Sequence, residues 1–197
     1  MQNSRHLVLA SSSQSRQQQL HRLGVEFESL SPNINETPLA GETARALVLR
    51  LSEAKARAVA PKFPDSLIIA GDQTAEIDGV FLEKPGNVDA ALEQLSGLQG
   101  REVEFVSGIC VLDASEDRLA IDAVTCTVKF RQLSRAQIAH YVSLDEPIHA
   151  AGSFKAESAG IGLFEFMRSS DPSAITGMPL ICLVDLLLQH HYEIFQR

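Results

Sequence analysis

The chain lacks several things, and each lack removes a class of function. No lysine–arginine run occurs: 17 basic residues stand against 25 acidic ones, a formal charge of −8 over 197 residues. Sequence-independent binding to nucleic acid needs a basic face, as does docking on an anionic membrane, so neither partner is expected. An acidic surface also repels polyphosphate, so such a ligand requires a local basic pocket or a metal ion. Cysteine is scarce. Cys110, Cys126 and Cys182 lie far apart among apolar residues, with no CxxC pair, which predicts free, buried thiols in a reducing compartment. Long apolar runs are missing too. Leu7–Ala10 is too short for a signal-peptide core, and Leu180–Leu188 is broken by Asp185 and too short to span a bilayer. The expectation is a soluble, cytoplasmic protein. The six histidines show no HxH or HExxH spacing, and GxSxG, GxGxxG and P-loop patterns are absent. Zinc, serine-hydrolase, dinucleotide and Walker-type readings lose support accordingly.

What is present is a core-sized apolar fraction, 45% hydrophobic, enough for one large domain or two closely joined lobes. Leu7–Ala10 reads as a strand, followed by Ser11-Ser12-Ser13-Gln14-Ser15-Arg16 and a helix over Gln17–Leu23. A polar turn covers Ser31–Pro38. Thr43–Ala60 is a helix with Leu47, Val48, Leu51, Ala54 and Ala58 on one face, ended by Pro61 and Pro64. Leu67–Ala70 is a short buried strand running into Gly71-Asp72-Gln73-Thr74. Ile77–Val80 makes a hairpin turn, and Asn87 caps a helix from Val88 to about Leu98. Val103–Leu112 and Ile121–Arg131 are strands, the second alternating from Val124 as a sheet with one solvated face does. Ser134 and Gln137 form a capping box for a helix to Val142. Gly152–Phe166 reads as strand–loop–strand. A last helix covers Pro179–His190 with Leu180, Leu183, Val184, Leu187 and Leu188 inward. Elements alternate early and long strands cluster in the middle, which predicts an α/β fold: a central mixed sheet flanked by helices, two lobes and a cleft.

Several residues carry chemistry. The Ser11–Arg16 turn gathers hydroxyls, backbone N–H groups and a positive helix end, with a guanidinium able to grip two phosphate oxygens. The alternative is plain serine capping. Asp72 directly follows a buried strand, a place for a metal ligand or general base, or for a turn cap. Glu36 sits in a proline-bracketed turn where an acid is usually just solvated. Lys55 lies mid-helix beside the apolar face, where it snorkels or reaches into a site. Lys84, in a loop before Pro85-Gly86, is free to approach a phosphate. Strand alternation would set Lys155 and Glu157 on one face, away from Phe154. Glu157 then either pairs with Lys155 or accepts paired N–H donors from a guanine edge, favouring a positively charged base.

Together these segments resemble the Maf family of nucleotide pyrophosphatases nearly end to end. The matching stretches are Leu9–Ser13 with Arg16, Asn35–Pro38, Ala54-Lys55-Ala56, Ile69–Gln73, Glu83-Lys84-Pro85 and Gly177–Leu180. The resemblance implies a mixed-sheet α/β fold related to inosine triphosphatase-like enzymes, with a nucleotide cleft. It implies hydrolysis of a nucleoside triphosphate between the α- and β-phosphates, with a divalent cation, Mg²⁺ or Mn²⁺, held by Asp72 and Glu36. Asp72 is then catalytic, with Arg16, Lys55 and Lys84 balancing phosphate charge and Ser11, Ser12 and Ser13 cradling it. Gln73, and the stretch Gly152–Glu165 with Ser169-Asp171-Pro172, resemble the branch hydrolysing N7-methylguanosine triphosphate (7-methyl-GTP), where Ser15, Gln73 and Glu157 tune base choice. The branch cleaving dTTP and UTP usually has Thr at the position of Gln73. A nucleotide-binding regulator of cell division is the reading from another class, and a homodimer is expected at family level. Two departures stand out. Asn35 replaces a frequent Asp, removing one metal carboxylate, and Ser15 replaces a frequent aromatic residue and cannot stack on a purine.

Overall fold

A computed structural model describes residues 5–195. Its strands are β1 (Leu7–Leu9), β2 (Glu28–Ser29), β3 (Leu67–Ile77), β4 (Val80–Phe81), β5 (Glu102–Asp113), β6 (Arg118–Phe130) and β7 (Phe164–Ser169). The helices are α1 (Gln14–His21), α2 (Ala44–Val59), α3 (Val88–Gly97), α4 (Arg135–Asp145) and α5 (Leu180–Gln189). The sheet runs β2-β1-β3-β5-β6-β7, with β4 folded onto the end of β3. β1 is parallel to β2 and to the first residues of β3, whereas β3, β5, β6 and β7 are antiparallel. This is the α/β mixed sheet flanked by helices that the residue pattern predicts. No helix among the described residues is long and apolar enough to cross a membrane.

Alternation along the strands assigns the two faces. Val8, Ile68, Ala70, Cys110 and Leu112 pack with Ala56 and Val59 of α2. Leu7, Leu9, Leu67, Ile69, Ile109 and Val111 pack on the other side with Leu20 of α1 and Leu180, Leu183, Leu186 and Leu187 of α5. Farther along the meander, Val103, Phe105, Val128 and Phe130 pack with Leu95 of α3 and Ile138 of α4. Both caps read from the sequence form: Asn87 Oδ1 accepts from Ala90 N at 2.9 Å, and Ser134 and Gln137 bond reciprocally. The hairpin turn forms as well, with Asp78 and Gly79 at φ 52° and 76°.

Four expectations are corrected. β3 does not stop at Ala70. Its register with β5 continues unbroken from Leu67↔Asp113 to Glu76↔Glu104, so the polar residues after Gly71 stay in the strand and Asp72 lies within it. Gly152–Phe166 is mostly turns, with single 3₁₀ turns at Ala151–Ser153 and Ala159–Leu163, and only β7 is strand. Gly152 and Ser153 both have positive φ, 72° and 59°, which breaks any extended run there. α1 begins at Gln14, because Ser13 caps it, and ends at His21. On α5 and α2, Leu188 and Ala58 face outward, while Leu186, Lys55 and Ala56 face inward.

The sheet also creates an opening. β1 ends at Leu9, and Ala10 N makes a last bond to Ile69 O at 2.8 Å. β4 begins to pair only at Glu76. Between these points no described strand lies along that edge of β3, and Asp72, Gln73 and Thr74 border a cleft.

Candidate active site

The cleft has a volume of about 850 Å³, the size of a small-molecule site. The β1–α1 turn forms one wall. Ser11 Oγ accepts from Ser13 N at 3.1 Å, and Ser13 Oγ accepts from Arg16 N at 3.3 Å, so capping is part of what these serines do. They also line the cleft, together with Ser12, Ser15 and Arg16. Arg16 Nε donates to Gly177 O at 2.9 Å. Burial pulls the Arg16 guanidinium below its ordinary pKa, against the opposing pull of Asp72 and Glu36.

The centre of the cleft is Lys55. Its side chain is buried, 6% exposed, and its Nζ lies 2.6 Å from Asp72 Oδ1 and 2.9 Å from Glu36 Oε1. Of the two roles open to a mid-helix lysine, this is reaching into a site. A glycine makes it possible. Asp72 pairs in register with Gly108, and a Cβ on Gly108 would lie 2.6 Å from Val48 O of α2. The bare backbone lets α2 settle on the sheet and bring Lys55 over Asp72. Glu36 arrives from a loop braced elsewhere: Asn35 Oδ1 accepts from Thr37 N at 2.9 Å, and Arg50 Nη2 donates to Thr37 O at 3.2 Å.

Two carboxylates thus converge on one ammonium. A hard divalent cation held by one or two carboxylates and completed by substrate phosphates needs no more protein ligands than this. Among the described residues no cluster of three or more His, Cys, Asp or Glu forms a metal cage. The donor set fits a cation shared with a ligand.

The cleft is also lined by Phe105, Phe154, His149, Ile175 and Glu157, with Lys84 in the loop after β4. Phe105 and Phe154 meet edge to face with centroids 4.9 Å apart. Glu157 is exposed to the cleft, but not as one face of a strand. Lys155 turns away and donates to Asp145 O at 2.6 Å, while its backbone N–H donates to Tyr141 Oη at 3.1 Å. Of the two readings open for Glu157, the ion pair with Lys155 does not form among these bonds. Every residue singled out in the sequence (Ser11, Ser12, Ser13, Ser15, Arg16, Glu36, Lys55, Asp72, Gln73, Lys84 and Glu157) lines this one cleft. Sequence reasoning missed the backbone carbonyls of Thr176 and Gly177 and the buried Ser107, the hydroxyl inside the apolar run Phe105–Leu112.

An ammonium, a guanidinium and two carboxylates thus line one cleft at an uncovered stretch of strand edge. Comparison with known proteins is specific. Residues 6–190 match the family model described as Maf-like protein, and the chain belongs to the Maf family. It is 48% identical over 187 residues to a Bordetella avium protein named 7-methyl-GTP pyrophosphatase, covering 95% of this chain and 94% of that one. A Burkholderia orbicola protein of the same name is 45% identical over 96% of this chain and 91% of its own. A Pseudomonas aeruginosa one is 44% identical over 95% and 98%. Among solved structures, a HAM1 protein from Coxiella burnetii aligns over 64% of this chain and 73% of its own, with 18% identity and TM-score 0.48.

Proposed function

We propose that this protein is a nucleoside triphosphate pyrophosphatase that hydrolyses 7-methyl-GTP to 7-methyl-GMP and pyrophosphate. The observation that carries the chemistry is the pair of carboxylates on Lys55 inside a cleft shared with Arg16. The substrate follows from the relatives of that name, between 43% and 48% identical. The charge of the methylated base supports it, since an N7-methylguanine is positive and Glu157 offers a carboxylate in the cleft that Phe154 also lines.

In this reading Asp72 and Glu36 hold a divalent cation, Mg²⁺ or Mn²⁺, which when bound polarises the phosphate oxygens. Lys55 fixes Asp72 through Oδ1, and Asp72 orients the attacking water or takes its proton. Arg16 and Lys84 balance charge as the bond between the α- and β-phosphates breaks. Ser11, Ser12 and Ser13 line the path of the phosphate chain, and Ser15, Gln73 and Glu157 sit toward the base. The thiols suit a reducing cytoplasm: burial pushes Cys110 up to about 12, and Cys126 and Cys182 up to about 11.

The test is pyrophosphate release with Mg²⁺ or Mn²⁺ from 7-methyl-GTP, GTP, dTTP, UTP, CTP and inosine triphosphate. Selective turnover of 7-methyl-GTP is expected. Preference for dTTP and UTP would keep the chemistry and overturn the substrate. Tight binding with no turnover of any of them would favour the regulator reading.

A further inference from the structure

The backbone between Ala174 and Gly177 is held in an unusual way. Four consecutive carbonyls each accept from a side chain. Ala174 O accepts from Ser107 Oγ at 2.7 Å and from Gln73 Nε2 at 2.9 Å, and Ile175 O accepts from Gln73 Nε2 at 3.2 Å. Thr176 O accepts from Ser15 Oγ at 3.4 Å, and Gly177 O from Arg16 Nε at 2.9 Å. Ser107 closes the set by accepting from Gln73 Nε2 at 3.0 Å. Three of the donors, Ser15, Arg16 and Gln73, border the cleft, whereas Ser107 is 0% exposed beneath them.

The chemistry fixes which atom of Gln73 points where. Carbonyls only accept, so the atom facing Ala174 and Ile175 is the amide nitrogen. Oε1 then presents an acceptor alone. Gly177 stands at φ +81°, a conformation that L side chains rarely adopt, so glycine permits the turn that carries its carbonyl to Arg16. The turn is anchored behind by Asp171, whose Oδ1 accepts from Ser173 N at 3.1 Å and whose Oδ2 accepts from Ile181 N at 2.7 Å at the start of α5.

We infer that Ser107 is a positioning residue. Its hydroxyl fixes the Ala174 carbonyl and the Gln73 amide, so that the Gly177 carbonyl aims Arg16 at the phosphates. The inference rests on the phosphate role proposed above for Arg16. Ser107→Ala is nearly isosteric and leaves Ala174 O and Gln73 Nε2 with their remaining partners, so the variant folds.

The experiment is a double-mutant cycle of S107A and R16A, read as kcat/KM for 7-methyl-GTP with Mg²⁺. S107A should lower kcat/KM about tenfold in the wild-type background and less than about twofold when Arg16 is already gone. An equal loss in both backgrounds, or no loss in either, overturns the inference. A second readout is the ¹⁵N resonance of the Arg16 Nε–H, assigned by its disappearance in R16K. S107A should shift it and speed its exchange with solvent, and an unchanged resonance overturns the inference. A wild-type protein inactive on every nucleotide would sink the pyrophosphatase reading, and the resonance then decides the role of Ser107 alone.

Discussion

The same pair of strands, β3 and β5, passes through two different environments, each with a buried carboxylate. At the cleft, Asp72 pairs in register with Gly108; at the closed end, Asp113 pairs with Leu67. Five residues of strand, roughly 17 Å, separate the two levels. Both acids are shielded, 7% and 0% exposed, and both hold a cation at 2.6 Å, Lys55 in one case and Arg5 in the other. Asp113 Oδ1 also accepts from Ser115 N at 3.0 Å and Ser115 Oγ at 2.7 Å. Burial alone would raise the Asp113 pKa, but these donors outweigh it and hold the carboxyl below the usual range. Asp72 has Lys55 as its side-chain donor, shares that ammonium with Glu36, and faces open space. Burial and charge pairing are therefore common to a structural acid and a functional one. What separates them is access: Asp113 gathers its donors on Oδ1 while its Oδ2 is buried without a partner, whereas Asp72 borders a cleft that a ligand can enter.

The strongest way to break this contrast is Asp72→Asn. It should lower turnover by about a thousandfold or more while the protein stays folded, because removing the base removes transition-state chemistry and Lys55 keeps Glu36 as its partner. Near-normal turnover would end the catalytic assignment. Asp113→Asn should do the reverse. It loses a charge-assisted bond to a partly exposed Arg5, so about 2 kcal/mol of stability in urea unfolding is expected, with kcat unchanged in the folded fraction. If D113N instead lost activity at unchanged stability, the two ends would be coupled and the contrast would fail.

How much of this was legible beforehand follows the same division. The closed end is built from apolar periodicity, and the strands and helices around it fall near their expected positions. The cleft residues were legible as types at certain spacings: a serine-rich turn with Arg16, an acid after a buried run, a lysine on a helix. Their geometry was not. Asp72 reads as lying past a strand end because Gly71 and Gln73 look like turn residues. Only the long-range pairing with β5 keeps the strand going to Ile77, and a single sequence does not reveal the register of a partner. Lys55 left two readings open, and the glycine that decides between them, Gly108, lies fifty-odd residues away. The segment from Gly152 misled because alternating polar and apolar residues mimic a strand, while positive φ at Gly152 and Ser153 forbids one. Tertiary contacts overrode local pattern at the site, and agreed with it in the core.

Glu157 sharpens the contrast within the cleft itself. Glu157→Ala should cut discrimination between 7-methyl-GTP and GTP by about tenfold, the value of one charged contact at a partly solvated site, with a smaller loss of kcat on the poorer substrate. The comparison is made by kcat/KM ratios across the nucleotide panel. An equal fractional loss on every nucleotide would place Glu157 with the phosphate machinery and remove the base-reading role.

The smallest effect belongs to the closed end and concerns pH. His190 is 4% exposed; its Nε2 faces Val111 O at 3.1 Å, and its Nδ1 is buried without a partner. A carbonyl only accepts, so Nε2 carries a hydrogen, and the buried Nδ1 has no acceptor for a second one. Burial lowers its pKa from the ordinary 6.5, and Arg118 adds to the shift. The unfolded chain therefore binds a proton near pH 6.5 that the folded chain refuses, so stability falls as pH drops below about 6.5, by at most about 1.4 kcal/mol per pH unit. Asp113 works in a lower window. Its folded pKa lies below 3.8, so its contribution is intact above that value and is lost as pH falls through it. His190→Gln keeps a donor for Val111 O without titrating. Its stability should stay flatter than that of the wild type between pH 6.5 and 4, and then fall in parallel below pH 4, where Asp113 governs. An unchanged slope in the upper window would mean that His190 is not the group that makes the closed end sensitive to acid.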